Sequence, residues 1–173
     1  HVGPNPVVLT VTDVNGNTSQ CTAIVTVQDV TDPVISCPMD VVTDSEPDVC
    51  GAEVFFADAL ALDACGVASV VQTGGPVSGS IFPIGTTVVE FTATDVNGNT
   101  SVCSFSVTVT DTLPPVTVCQ DITVQLDTTG NATITAADVD GGTFDPCGLD
   151  TLSIDIDTFD CSNVGPNDVT LTA

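Results

Sequence analysis

Lysine and arginine are absent from this sequence of 173 residues, against 23 aspartates and glutamates, for a formal net charge of -23. No carboxylate can meet a side-chain cation other than His1, the single histidine. Phosphate recognition rests on Lys and Arg, so nucleic acid is excluded as a partner, and anionic lipid is disfavoured for the same reason. Tryptophan and tyrosine are also missing and phenylalanine numbers only seven, which leaves no aromatic platform for a sugar. With one histidine, at the edge of the sequence, a nucleophilic triad has no support and no enzyme activity is expected. No apolar run approaches the roughly 20 residues that span a bilayer, and no basic segment precedes one, so no membrane insertion is expected here and any signal peptide or anchor is expected outside this segment. No Cys-x-x-Cys pair occurs, which weakens zinc and thioredoxin-type readings.

What the sequence does contain is strand composition: Val, Ala, Ile and Leu alternate with Thr, Ser and Asp. Eight cysteines in a chain this poor in aromatic mass suggest a disulfide framework, formed in an oxidising compartment and hence at an extracellular or cell-surface location. The carboxylates need another neutraliser. Bulk counterions suffice for scattered ones, whereas clustered ones call for a bound divalent cation, and hard oxygen ligands suit calcium.

Self-similarity organises the chain. Val11-Thr12-Asp13-Val14-Asn15-Gly16-Asn17-Thr18-Ser19 returns as Ala93-Thr94-Asp95-Val96-Asn97-Gly98-Asn99-Thr100-Ser101, 82 residues later. Cys21 and Cys103, Asp29 and Asp111, Cys37 and Cys119, and Cys65 and Cys147 keep the same spacing of 82. Val2-Gly3-Pro4-Asn5 also returns as Val164-Gly165-Pro166-Asn167, an offset of 162. The division expected is the C-terminal part of a first repeat over 1–30, a complete repeat over 31–111, and the N-terminal part of a third over 112–173. In the complete repeat, strands are expected at Val34–Val42, Ala52–Phe56, Val67–Gln72, Thr86–Thr94 and Val102–Thr110, the last two joined by the tight turn at Asn97-Gly98. No segment has a helical period. Short strands at this spacing predict an all-β fold of tandem immunoglobulin-like (fibronectin-III-like) β-sandwich repeats of about 80 residues, arranged end to end.

Several segments carry a specific resemblance: Asp32-Pro33-Val34-Ile35-Ser36-Cys37-Pro38, Asp63-Ala64-Cys65-Gly66, Gly79-Ser80-Ile81-Phe82-Pro83-Ile84-Gly85, Ala93-Thr94-Asp95-Val96-Asn97-Gly98-Asn99 and Cys103-Ser104-Phe105-Ser106-Val107. Over Thr31–Asp111 the chain resembles the hyalin repeat (HYR) and related immunoglobulin-like repeats of large bacterial surface adhesins. The resemblance implies cell-surface adhesion and an extended architecture, with no enzymatic activity. The flanking stretches depart from the pattern: Gln120 follows Cys119 in place of Pro, and Phe159-Asp160-Cys161 replaces Phe-Pro-Ile.

Both repeat types carry a cysteine early in the first strand (Cys37, Cys119) and one in the last (Cys21, Cys103), so Cys37–Cys103 is the economical bond. The Asp-x-Cys-Gly cysteine is then expected to take the cysteine peculiar to its own type, giving Cys50–Cys65 and Cys147–Cys161, with Cys21 and Cys119 paired outside this window. A Cys21–Cys37 bond across the junction is the rival.

For calcium, the ligands expected first are Asp32, Asp63 and Asp95 at the junction before the complete repeat, with Asp29, Asn97 and Asn99 as further candidates and Asp111 with Asp145 at the next junction. The competing reading is that Asp-x-Asn-Gly-Asn is turn chemistry alone. Sequons place possible glycosylation at Asn17, Asn99 and Asn131, and Asp-Thr-hydrophobic triplets at Thr112 and Thr151. The expected partners are neighbouring repeats of the same chain, other copies in a fibril, and surface glycans. The function expected is a structural repeat of an extracellular fibril or adhesin stalk; the alternative is a carbohydrate- or protein-binding adhesin module. The loops recur between repeats instead of diverging, which favours the spacer.

Overall fold

A computed structural model describes residues 2–173; His1 lies outside the described residues. The strands are β1 (Gly3–Thr12), β2 (Thr18–Val27), β3 (Val34–Ser36), β4 (Val41–Asp44), β5 (Gly51–Val54), β6 (Leu60–Leu62), β7 (Val67–Gly74), β8 (Ser80–Pro83), β9 (Gly85–Asp95), β10 (Thr100–Thr110), β11 (Asn131–Thr133), β12 (Ser153–Ile154), β13 (Thr158–Asp160) and β14 (Leu171–Thr172). A one-turn helix, α1 (Ala136–Val139), and a 3-10 turn over Cys161–Asn163 complete the inventory. The fold is therefore an all-β sandwich, as the alternation predicts. The helical turn was not foreseen; it is set locally, by the Thr135 N–H and hydroxyl both donating to the Asp138 carboxylate at 2.7 and 2.8 Å.

The strand expected over Val34–Val42 is two strands, because Pro38 has no N–H to give a ladder. Its first half pairs antiparallel with β6, from Val34↔Leu62 to Ser36↔Leu60. Its second half, β4, runs parallel to β10, from Val107↔Val41 to Thr110↔Asp44. The largest sheet has the order β4-β10-β9-β7. Strands β6 and β8 were also missed: each spans only three or four residues, too few for periodicity to register.

The chain divides into two compact units. One comprises His1–Met39, Phe56–Val77 and Val88–Ser106. Its core is Ala59, Val89, Phe91, Ala93 and Phe105, all buried. The Phe56 ring meets Phe105 edge to face at 5.1 Å, a geometry the aromatic quadrupole favours. Strand β9 pairs with β7 from Val67↔Asp95 to Gly74↔Glu90, through two register shifts. Gly75 sits at a φ of +79°, and a Cβ there would lie 2.7 Å from the Val88 carbonyl oxygen, so only glycine closes this turn. The hairpin of β1 and β2, in register from Gly3↔Val27 to Thr12↔Thr18, also belongs to this unit. Its apolar side chains stay exposed.

The other unit comprises Asp40–Phe55, Ser78–Thr87 and Val107–Ala173. Here β5 pairs with β8, Ala52 opposite Phe82, and Ala52, Val54, Phe82, Val107 and Val109 are buried. Each large side chain so buried contributes about 1.5–3 kcal/mol. A second core in the same unit gathers Ile134, Val139 and Leu171, with Phe159, Ile154 and Val169 packed against them. Among the described residues, no helix is long and apolar enough to cross a membrane.

Candidate functional site

Two acidic clusters of the same composition lie 82 residues apart. In the first, a carboxylate oxygen of Asp29, one of Asp63 and the Cys65 sulfur all lie within 4.8 Å of one another; in the second, Asp111, Asp145 and Cys147 do the same. Each cluster is built by the same local chemistry. Asp29 Oδ1 accepts from the Thr31 N–H at 3.1 Å, and Asp111 Oδ1 from the Leu113 N–H at 3.2 Å, so both aspartates cap the turn that follows. Asp63 Oδ1 accepts from the Cys65 N–H at 2.7 Å and from the Gly66 N–H at 3.0 Å. Asp145 Oδ1 accepts from the Cys147 N–H at 2.7 Å.

The two clusters differ in their outer partners. Asn97 donates through Nδ2 to Asp29 Oδ2 at 2.8 Å, and Asn99 Nδ2 donates to the Asp29 carbonyl at 3.3 Å. This draws the turn after β9 onto the Asp29 segment. At the second cluster Ser45 Oγ donates to Asp111 Oδ1 at 3.0 Å instead. The Cys65 thiol donates to Asp29, and with burial and the charges of Asp29, Asp63 and Asp95 this pushes its pKa up. The Asp29 carboxyl is lowered in return, chiefly by that thiol and by the Thr31 N–H.

Of the calcium ligands expected from sequence, the structure thus brings Asp29 and Asp63 together, with Asn97 and Asn99 against Asp29, and it brings Asp111 to Asp145. Asp32 is exposed and outside the cluster. Asp95 is buried and its carboxylate is spent on its own turn, accepting from the Asn97 and Asn99 N–H groups at 2.9 and 2.8 Å and from Asn99 Nδ2 at 2.7 Å. Burial opposes its charge, but these donors outweigh that and its pKa is lowered. Asp13 makes the same turn with Asn15 and Asn17. A third instance went unnoticed in the sequence: Asp127 Oδ1 accepts from the Thr129 and Asn131 N–H groups at 2.7 and 3.0 Å. The shared signal is Asp, then Gly three residues on and Asn four residues on.

The sequon asparagines sit in these same turns. Nδ2 of Asn17 donates to Asp13, that of Asn99 to Asp95, and that of Asn131 to Thr129. Thr112 and Thr151 are exposed.

The cysteines depart from the expected pairing. Cys37 and Cys103 are bonded, with Cα atoms 5.8 Å apart. Cys50, however, bonds Cys147, with Cα atoms 4.7 Å apart. This replaces both Cys50–Cys65 and Cys147–Cys161, and leaves Cys65 and Cys161 as exposed thiols alongside Cys21 and Cys119. The reason is geometric: a disulfide needs Cα atoms within about 4.4–6.8 Å, and it is Cys147 that reaches Cys50. The bond spans a sequence separation of 97 within one compact unit, and it makes the Cys147 sulfur beside Asp111 and Asp145 half of a disulfide instead of a free thiol.

Residues 28–109 match the family model described as HYR domain. Hyalin of Strongylocentrotus purpuratus is 36% identical over 140 residues, covering 75% of this chain and 12% of the relative. Hyalin of Lytechinus variegatus is 35% identical over 152 residues, covering 81% of this chain and 28% of the relative. The Sushi, von Willebrand factor type A, EGF and pentraxin domain-containing protein 1 of Rattus norvegicus is 34% identical over 112 residues, covering 62% of this chain and 3% of the relative. The chain therefore spans only a small part of these relatives. No solved structure matches it significantly. The family match and the two hyalins support a hyalin repeat within the chain. The attribution to bacterial surface adhesins has no such support, since the relatives matched are animal proteins.

Proposed function

We propose that the chain is a structural segment of an extracellular adhesion array: sandwich repeats divided at 30–31 and 111–112, used as spacers and fastened at their junctions. The observation that carries this reading is the recurrence of one acidic cluster, two aspartates and a cysteine brought together at positions 82 residues apart. A ligand-gripping module would vary such loops; a spacer repeats them. Disulfides formed by Cys37–Cys103 and Cys50–Cys147 fit an oxidising, extracellular setting.

Within this reading calcium stiffens the junctions, held by Asp29 and Asp63 in the first and by Asp111 and Asp145 in the second. Paired carboxylates repel unless a cation lies between them, and this chain has no Lys or Arg to offer. Since Cys147 is bonded to Cys50, the carboxylate pair, not the sulfur, is the donor set common to both junctions. Melting temperature and small-angle scattering of the chain, with calcium and with excess chelator, test the proposal. Calcium is expected to raise the melting temperature and narrow the distribution of interatomic distances; identical curves in both conditions would reduce the clusters to ordinary turns.

A further inference from the structure

We propose that the groove lined by residues 121–126 and their neighbours is a strand-acceptor site. Its occupant is a β-hairpin of the β1–β2 kind, uncharged along its second strand, which runs parallel to residues 122–125 and bonds its cysteine to Cys119. The site goes beyond the spacer role and stands or falls separately from it.

The acceptor is strand sequence without a strand partner. Asp121-Ile122-Thr123-Val124-Gln125-Leu126 alternates polar and apolar residues as a half-buried strand does, yet it belongs to no strand. Ile122, Val124 and Leu126, with Ile134, Phe159 and Val169, line a groove of about 830 Å³ inside one compact unit. Unpaired strand backbone beside apolar pockets is a template for an added strand: main-chain bonds supply the pairing, and the pockets select alternate side chains.

What fills such a place is visible in the complete repeat. Cys37-Pro38-Met39-Asp40-Val41-Val42-Thr43 and Cys119-Gln120-Asp121-Ile122-Thr123-Val124 run in the same order, with one residue fewer after the second cysteine. Residues 122–125 therefore stand where β4 stands. Strand β4 is paired with the second strand of a hairpin, β10, with Val107 opposite Val41 and Val109 opposite Thr43. Val107 and Val109 are buried, and Cys103 of the same strand is bonded to Cys37. At the spacing of 82 these three residues correspond to Val25, Val27 and Cys21 of β2, where both valines and the thiol are exposed. Cys119 is likewise an exposed thiol, and it lines the groove. The register follows: position 25 of such a hairpin faces Ile122, and position 27 faces Val124.

Charge selects the same occupant. Asp121, Asp160 and Asp168 line the groove, so an acidic strand is repelled where no Lys or Arg offsets it. Thr18–Val27 carries no charged side chain.

Closing the bond needs a disulfide as co-reactant. With the hairpin cysteine held as a mixed disulfide with glutathione, the Cys119 thiolate attacks the hairpin sulfur. The glutathione thiolate leaves and takes up the proton that Cys119 released. One disulfide is exchanged for another, with no net oxidation.

The probe is a synthetic peptide of residues 2–28 with its cysteine glutathionylated, added to the full chain carrying Cys21→Ser so that the peptide alone presents that sulfur. Disulfide mapping by mass spectrometry should place the peptide on Cys119 in preference to Cys65 and Cys161, the other exposed thiols. Amide hydrogen exchange should slow over residues 122–125 once the peptide is bound. A peptide with Val25→Asp and Val27→Asp keeps the same sulfur chemistry but should lose at least about tenfold of the capture, because its charges would enter apolar pockets. These substitutions lie in the peptide, so their effect cannot come from misfolding of the chain. Capture spread evenly over Cys65, Cys119 and Cys161, capture indifferent to the two aspartates, or unchanged exchange over 122–125 would overturn the proposal. So would a chain that dimerises alone with 122–125 already protected and excludes the peptide, since a second copy would then fill the groove by another surface.

Discussion

The hairpin of β1 and β2 and the hairpin of β9 and β10 are built from matching sequence 82 residues apart, yet one is exposed and the other is core. Val89 and Val107 are 0 and 0% exposed, whereas their counterparts Val7 and Val25 are 51 and 48% exposed. Leu9 and Phe91 differ in the same way. Alternating Val, Leu and Thr fixes a strand and its two faces, and the turn Asp-x-Asn-Gly-Asn fixes the register. Neither decides whether a face is covered. That is set by what packs against it: the Phe56 ring meets Phe105 of β10, whereas among the described residues the apolar side chains of β1 and β2 stay exposed.

The comparison is most sharply broken by truncating matched positions. Phe91→Ala should destabilise the fold by about 3–5 kcal/mol, through lost transfer energy and a cavity. Leu9→Ala should change global stability by no more than about 0.5 kcal/mol, as an exposed substitution does. Chemical denaturation of both variants measures this; equal losses would show that the first hairpin is buried in solution.

Next in size is the Cys37–Cys103 bond, which spans a sequence separation of 66. Replacing both cysteines by serine should cost about 4 kcal/mol on the chain-entropy model. Replacing Cys21, its counterpart in the exposed hairpin, should leave the melting temperature of the monomeric chain unchanged.

Smaller still is the contrast between Asp95 and Asp13, which make the same turn in a buried and an exposed setting. Asp95→Ala should lower the melting temperature more than Asp13→Ala. Both carboxyls have folded-state pKa values held below the ordinary aspartate range, that of Asp13 chiefly by the Asn17 side chain and that of Asp95 by Asn99 and its turn N–H groups against the opposing effect of burial. Their stabilisation is therefore complete above the unfolded-state value and lost as pH falls through the lowered folded-state values. A melting-temperature series from pH 6 downwards should decline on approaching and passing below the ordinary aspartate pKa, with the Asp95→Ala curve flatter than that of the parent chain.

Much of this was legible in the sequence because it is local. The turn at Asn97-Gly98 and the all-β character follow from spacing and turn chemistry; the approach of Asn97 and Asn99 to the Asp29 segment, 68 and 70 residues away, follows instead from a sandwich setting the turn before its last strand against the preceding linker. The Cys37–Cys103 pairing follows from comparing the two repeats. Two things were not legible. Asp95 and Asp63 look alike on paper, but one carboxylate is saturated by its own turn while the other faces a second aspartate, and only folded geometry separates them. The Cys50–Cys147 bond was missed because pairing each distinctive cysteine within its own repeat assumes that its loop turns inward. The sulfur of Cys50 instead meets that of Cys147, 97 residues away in sequence.

The central claim is that these repeats are spacers of an extended array. Electron micrographs of the native extracellular material test it most directly. Strands of about 5–9 residues, rising about 3.3 Å each and lengthened by loops, make a sandwich roughly 30–40 Å long. Thin filaments with that axial step for each 80-residue repeat are expected; compact particles without an axial period would contradict the spacer role.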